Sequence, residues 1–322
     1  MEKTTLKRTD LTVSRVCFGT MTFGSQVDQA CAEAIVNRCL DAGVNFFDTA
    51  NIYNKGTSEV MLGRALGQKR NGIVLASKVF GKMGDTPNES GLSRTAILRA
   101  VEASLKRLGT DYLDIYYMHQ PDYSVPMEES LEAMDRLVRD GKVLYPASSN
   151  YSSWQITRML WIAETSGYAA PYISQPMYNL LARGIEQEFL PMAKEMDVST
   201  VIYNPLAGGL LTGKHKPEAP LPGTRFDDNQ MYLDRYWHPA QFEAVAELGA
   251  VARRTGRSLV SLALNWLLHH TPADCIILGA SSLQQIEENL SASEEGALPA
   301  DVLGECDRTW ARLRGITPRY NR

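Results

Sequence analysis

No apolar run in the sequence is long enough to span a membrane. The longest strongly apolar segment, Leu259 to Leu268, is about half of the ~20 residues a spanning helix needs. The opening MEKTTLKRTD has none of the apolar stretch of a secretion signal. Charge of one sign is not in excess either: the net charge is −4 and no basic stripe offsets it, which excludes an electrostatic footprint for nucleic acid. Cysteine is scarce, odd in number and without metal-ligand spacing. Cys17, Cys31, Cys39, Cys275 and Cys306 read as buried thiols of a reducing compartment, so the expectation is a soluble, cytoplasmic chain without a bound metal. Lysine and arginine are absent altogether from 258 to 307. No low-complexity tract interrupts the 322 residues, and the apolar fraction of 44% is ordinary for a globular protein.

What is present is an alternation. Eight short β-rich runs recur: SRVCFGT (14–20), VNFFDTA (44–50), IVLASKV (73–79), YLDIYYMH (112–119), VLYPASS (143–149), YISQPMY (172–178), STVIYNPL (199–206) and CIILGAS (275–281). Most are continuously apolar, as parallel strands covered on their outer face are. Helical patterns lie between them. The segment from Ser93, a candidate N-cap, carries Ile97, Val101, Leu105 and Leu108 on one face and stops at Gly109; similar segments stop at Gly43 and Gly141. Eight strand–helix units predict a single α/β domain over 1–322, a (β/α)8 TIM barrel. The competing open, doubly wound sheet lacks its G-x-G-x-x-G phosphate loop after the first run. Three regions exceed the repeat: a hairpin over 2–13 expected to close the barrel's N-terminal end, a long loop over 207–238, and two extra helices at 239–255 and 300–314. Loops that long are uncommon unless functional or disordered. Pro146, inside the fifth run, predicts a bulge there, because proline cannot donate to a strand ladder.

Active sites of such barrels lie at the C-terminal strand ends. Those ends carry Asp48, Lys78 and His119, with Tyr53 one loop step beyond Asp48. Singly, each has a plain structural role open to it: a solvated lysine, a satisfied histidine, a packed tyrosine. Together they form a proton-transfer set. A free tyrosine titrates near 10; a neighbouring ammonium favours the phenolate, so Lys78 is expected to lower that value, with Asp48 holding the lysine charged. His119 would hydrogen-bond a substrate oxygen or share the proton. The set suits protonation of the alkoxide that develops when hydride reaches a carbonyl carbon.

GVNFFDTANIYNKGTSEVMLGRAL, SKV, YLDIYYMH and the closing IILGASSLQQIEENL resemble the aldo-keto reductase superfamily over nearly the whole chain, in particular the branch of bacterial aldo-keto reductases and potassium-channel β subunits. The resemblance implies that Asp48, Tyr53, Lys78 and His119 are the catalytic tetrad, with Tyr53 the general acid/base, acting on a small carbonyl compound. It implies a nicotinamide cofactor, NADPH with NADH possible. Ser149, Asn150 and Gln175 match positions holding the carboxamide, and Tyr203 the aromatic stacked on the nicotinamide. Leu206, Gly208, Lys214 and Arg225 match the loop over the pyrophosphate, and Ser281, Gln285, Glu288 and Asn289 the adenosine-phosphate end. Where some relatives use a cation between 258 and 307 for the 2′-phosphate, this chain offers neutral residues, leaving that charge to the long loop. Phe23, Phe80, Met83, Gln120 and Tyr123 are the candidate rim around substrate. Two alternatives stay open: a cofactor-holding, channel-β-like protein of slow turnover, and a barrel hydrolase, which would need paired carboxylates or a His/Asp cluster at the mouth.

Overall fold

The computed structural model describes residues 1–227, 229–316 and 321. Its strands are β1 (Lys3–Thr5), β2 (Thr12–Ser14), β3 (Val16–Gly19), β4 (Phe46–Asp48), β5 (Val74–Val79), β6 (Leu113–Met118), β7 (Val143–Ser149), β8 (Ile173–Gln175), β9 (Ser199–Ile202) and β10 (Cys275–Leu278). β1 and β2 pair antiparallel as the expected hairpin. The other eight close into one all-parallel barrel in chain order, β10 pairing with both β3 and β9. Each expected β-rich run supplies one barrel strand.

The period of two in these strands sorts side chains between two cores. Cys17, Phe46, Ala76, Ile115, Tyr117, Ala147, Ile173, Val201 and Ile277 point inward and pack with Leu6, Leu11 and Val13, so the hairpin plugs the N-terminal end as expected. Their neighbours, among them Phe18, Phe47, Leu75, Tyr116, Ile202 and Leu278, point outward into a second core beneath the helices. Strands buried on both faces in this way account for the continuously apolar runs.

The helices are α1 (Gln29–Asp41), α2 (Thr57–Leu66), α3 (Arg94–Leu108), α4 (Met127–Arg139), α5 (Ser153–Ser166), α6 (Phe189–Glu195), α7 (Gln230–Tyr236), α8 (Pro239–Arg254), α9 (Leu259–His270), α10 (Leu283–Ser293) and α11 (Ala300–Arg314). Ser93 Oγ accepts from the Ala96 N–H at the start of α3, and Gly109 ends the helix with φ +66°, a conformation costly for any residue with a Cβ. α8 and α11 are the two extra helices. Among the described residues, no helix is long and apolar enough to cross a membrane.

Two expectations change. The long loop is not uniformly irregular: Ala207–Thr212 forms a 3-10 turn and α7 forms within it. β7 does not bulge at Pro146. Its pairing with β6 runs Ile115 to Tyr145, Tyr116 to Pro146 and Tyr117 to Ala147 without an extra residue. A proline removes one donor from a ladder but need not shift its register. Pro146 points outward, leaving the inward set intact.

Candidate active site

One geometric rule builds the barrel mouth. Two residues beyond each last inward-facing core residue, the next inward side chain has no core left to fill. Cys17 is thus followed by Gly19, Phe46 by Asp48, Ala76 by Lys78, and Tyr117 by His119. Likewise Ala147 is followed by Ser149, Ile173 by Gln175, Val201 by Tyr203, and Ile277 by Gly279. All eight but Lys78 line a single cavity of about 400 Å3. Lys78 lies beneath it.

Lys78 is 0% exposed. Its ammonium donates to Asp48 Oδ1 and, at 2.8 Å, to the Thr49 carbonyl. Asp48, 2% exposed, accepts at its other oxygen from Gln175 Nε2 at 3.0 Å. A buried ion pair survives only where such bonds satisfy both partners. Burial works to lower the Lys78 pKa, but Asp48 and Tyr53 overcome it, and the net shift is upward. The lysine stays charged, 5.1 Å from the centre of the Tyr53 ring.

Tyr53 leads a tight turn in which Asn54 and Lys55 have φ of +48° and +53°, unusual for residues other than glycine. Asn54 Nδ2 holds that turn by donating to the Phe23 and Met21 carbonyls at 2.5 and 3.2 Å. Burial raises the Tyr53 pKa; Lys78 opposes it without reversing it. The expected downward pull of Lys78 therefore exists, but burial outweighs it. The His119 ring meets Tyr53 edge-on at 5.9 Å. Burial, aided by the Lys78 charge, drives the His119 pKa down to about 3. His119 is a neutral imidazole near pH 7, fit to share a hydrogen bond and not to arrive as a cation.

The other side of the mouth is tied together. Tyr203 donates its hydroxyl to Asn150 Oδ1 at 2.7 Å, and Asn150 Nδ2 donates to the His119 carbonyl at 2.8 Å. Ser149 Oγ donates to the Gln175 carbonyl at 2.9 Å. Asn150 adopts φ +64°, and these bonds hold it there. Leu206, Gly208, Lys214 and Arg225 line the cavity from the segment after β9, and Ser281, Gln285 and Asn289 line its far end. Glu288 does not line it; its carboxylate accepts from Gln284 Nε2 at 2.8 Å.

That segment is a strap across the mouth. Gln26 Nε2 donates to the Gly223 carbonyl at 2.5 Å. Phe226, fully buried, sits 4.9 Å from the His215 ring and 5.0 Å from that of Trp237, anchoring the strap on α7 and α8. A Cβ on Gly208 would come within 2.8 Å of the Tyr232 ring, so glycine alone fits that approach. Lys214 and Arg225 have no acidic partner among the described residues, although both line the cavity. Arg235 likewise lines the cavity without an acidic partner among the described residues, and cations so placed fit the phosphates of a dinucleotide.

The rim differs from expectation. Only Gln120 of the five candidates lines the cavity. Phe23 is buried in the outer core, Tyr123 is 86% exposed, and Phe80 and Met83 line a separate cleft. Met21, from the loop after β3, and Met231, Tyr232 and Arg235 of α7 are among the other wall residues; the α7 residues carry no signal in the sequence, since seven residues are too few to show a helical period. Gly19 and Gly279 were findable by extending the inward alternation one step.

Comparison with known proteins bears on this site. The model of the Aldo/keto reductase family matches residues 15–311. Human aflatoxin B1 aldehyde reductase member 2 is 36% identical over 319 residues, covering 94% of this chain and 88% of its own. A probable voltage-gated potassium channel subunit beta of Arabidopsis thaliana is 37% identical, covering 91% of each chain. An uncharacterized oxidoreductase of Bacillus subtilis is 38% identical over 99% of this chain and 98% of its own. With the parallel barrel and the family match agreeing over nearly its whole length, the chain belongs to the aldo/keto reductase family of carbonyl-reducing oxidoreductases.

Proposed function

We propose that the protein reduces a small aldehyde or ketone with NADPH, Tyr53 delivering the proton. The observation that carries this is Lys78: a fully buried ammonium between Asp48 and Tyr53, at the floor of a cavity that also presents His119. When bound, a reduced nicotinamide supplies the hydride. Every other requirement falls to the chain. The substrate oxygen lies between Tyr53 Oη and the neutral His119 ring, both able to donate to it as negative charge grows. Tyr53 gives up its proton, and Lys78 stabilises the phenolate left behind. Asp48 keeps Lys78 in place. Ser149, Asn150, Gln175 and Tyr203 would hold the nicotinamide end, Lys214 and Arg225 the phosphates, and Ser281, Gln285 and Asn289 the adenosine end. Several relatives named as aldehyde reductases support an aldehyde as substrate. A fall in nicotinamide absorbance with a panel of aromatic and aliphatic aldehydes tests the reading; no turnover of any member would remove it. The channel-subunit relative supports a second reading, a cofactor-holding protein of slow turnover. The same assay separates the two, since median enzymes turn over at about 10 s⁻¹.

His119 gives a pH prediction. With its pKa at about 3, kcat/KM should show no acid limb near 6.5, the ordinary histidine value. An acid limb centred there and abolished by His119→Gln would contradict the neutral-imidazole role.

Arg225 gives a cofactor prediction. Its Nη2 lies 3.5 Å from where a Cβ on Gly279 would stand, at the C-terminal end of β10, and its guanidinium is 5.7 Å from the Tyr232 ring centre. A planar guanidinium suits a 2′-phosphate. Arg225→Ala should weaken NADPH binding by about 1.5–3 kcal/mol, the scale of a hydrogen bond to a charged group, and NADH binding far less. Fluorescence titration of both cofactors decides: equal losses would place Arg225 on the shared pyrophosphate.

A further inference from the structure

A second cleft, of about 690 Å3, lies apart from the barrel mouth, between the loop that follows β5 and the outer face of α3. Its size is in the range that takes drug-sized molecules. Val79, Phe80 and Met83 form one wall, and Ala96, Ala100 and Ala103 the other. Asn51 also lines it. That residue is 2% exposed, and its Oδ1 has no hydrogen-bond partner. A buried amide oxygen left unpaired costs roughly 1–3 kcal/mol, so a donor that reaches it is favoured.

The charge at the rim is selective. Glu102 is paired with Lys142, and Glu89 accepts from the Thr86 N–H and hydroxyl at 3.0 and 2.8 Å. Arg107 is committed to Glu59 at 2.6 Å. Arg99 and Lys106 are exposed, have no ion-pair partner among the described residues, and stand two helical turns apart on the same face of α3. Glu102 is thus neutralised by Lys142, while Glu89, bonded only to neutral Thr86, keeps a charge that Arg99 feels; two cations against one uncompensated carboxylate leave the rim net positive.

We propose that this cleft is a second ligand site, taking an organic anion with a flat apolar body and one N–H or O–H donor directed at Asn51. The floor adjoins the catalytic strand: the Asn51 N–H donates to the Lys78 carbonyl at 3.2 Å, and Val79 and Phe80 follow Lys78 directly.

The probe 1-anilinonaphthalene-8-sulfonate combines a sulfonate, a naphthalene and an anilino N–H. Calorimetric titration of the full chain should show a saturable site that persists with NADP+ present. Ala103→Trp, which fills the cleft from the exposed helix face, should abolish it. The double variant Arg99→Glu/Lys106→Glu, both changes on the surface, should weaken it at least tenfold. Identical titration of the wild type and Ala103→Trp would overturn the proposal, as would full displacement of the probe by NADP+. The comparison between chains needs no cofactor, so it stands whatever binds at the barrel mouth.

Discussion

Tyr53→Phe lowers kcat/KM by about 10²–10⁴, the range for losing a general acid, and leaves cofactor affinity unchanged. The expectation rests on what the substitution does and does not touch. Phenylalanine keeps the ring that meets His119 at 5.9 Å and overlies Lys78, so packing survives. The hydroxyl's one neighbour of consequence in the protein is the Lys78 ammonium, which stays bonded to Asp48 and to the Thr49 carbonyl when the hydroxyl is removed. On the proposed reading, what disappears is the group that gives up a proton to the substrate oxygen. His119 cannot take over: with its pKa at about 3 it is neutral near pH 7, and its remaining N–H can donate a hydrogen bond but is too weak an acid to transfer the proton. Steady-state rates with one aldehyde, set beside the cofactor dissociation constant, measure the effect. Near-normal turnover would remove Tyr53 from the chemistry, while a matching loss of cofactor binding would show that the site had been disturbed.

The barrel was legible because each strand is buried on both faces, and continuous apolar runs between helical segments leave few other folds. The mouth was legible for a related reason. A charged or polar residue directly after an apolar strand has no place in either core, so Asp48, Lys78, His119, Ser149 and Gln175 announce themselves by position. The walls contributed by the strap were not legible in the same way. Met231, Tyr232 and Arg235 reach the cavity because Phe226 and Trp237 pin the strap on α7 and α8, a tertiary arrangement without local periodicity. The same limit misplaced Phe23: its position beside the first strand end suggests a rim residue, yet its ring packs 5.7 Å from Phe18 in the outer core. The sign of the Tyr53 shift was likewise out of reach, since sequence names the neighbouring ammonium but not the depth of burial that outweighs it. Glu288 stands at the edge of the helix face that Gln285 and Asn289 turn to the cavity, and its carboxylate is taken by Gln284 instead.

Lys78→Met is expected to damage stability and activity together, and a second substitution should separate the two. The side chain is 0% exposed and its ammonium is the only cation bonded to Asp48 among the described residues. Removing it strands a buried carboxylate with one remaining bond, from Gln175. Breaking a buried pair from one side costs about 3–5 kcal/mol. At about 2.1 cal/mol/K per residue, a chain of 322 residues loses roughly 1.5 °C of Tm per kcal/mol, so a fall of about 4–7 °C should appear in a thermal melt. Adding Asp48→Asn removes the stranded charge. Because a buried ion pair replaced as a unit is often energetically neutral, the double variant should recover most of that Tm. It should not recover turnover, since neither asparagine nor methionine can stabilise a phenolate at Tyr53, and kcat/KM should stay down by at least about 10² in both variants. A single variant as stable as the wild type would mean that the pair is solvated; a double variant that regained activity would mean that Lys78 serves the fold and not the proton transfer.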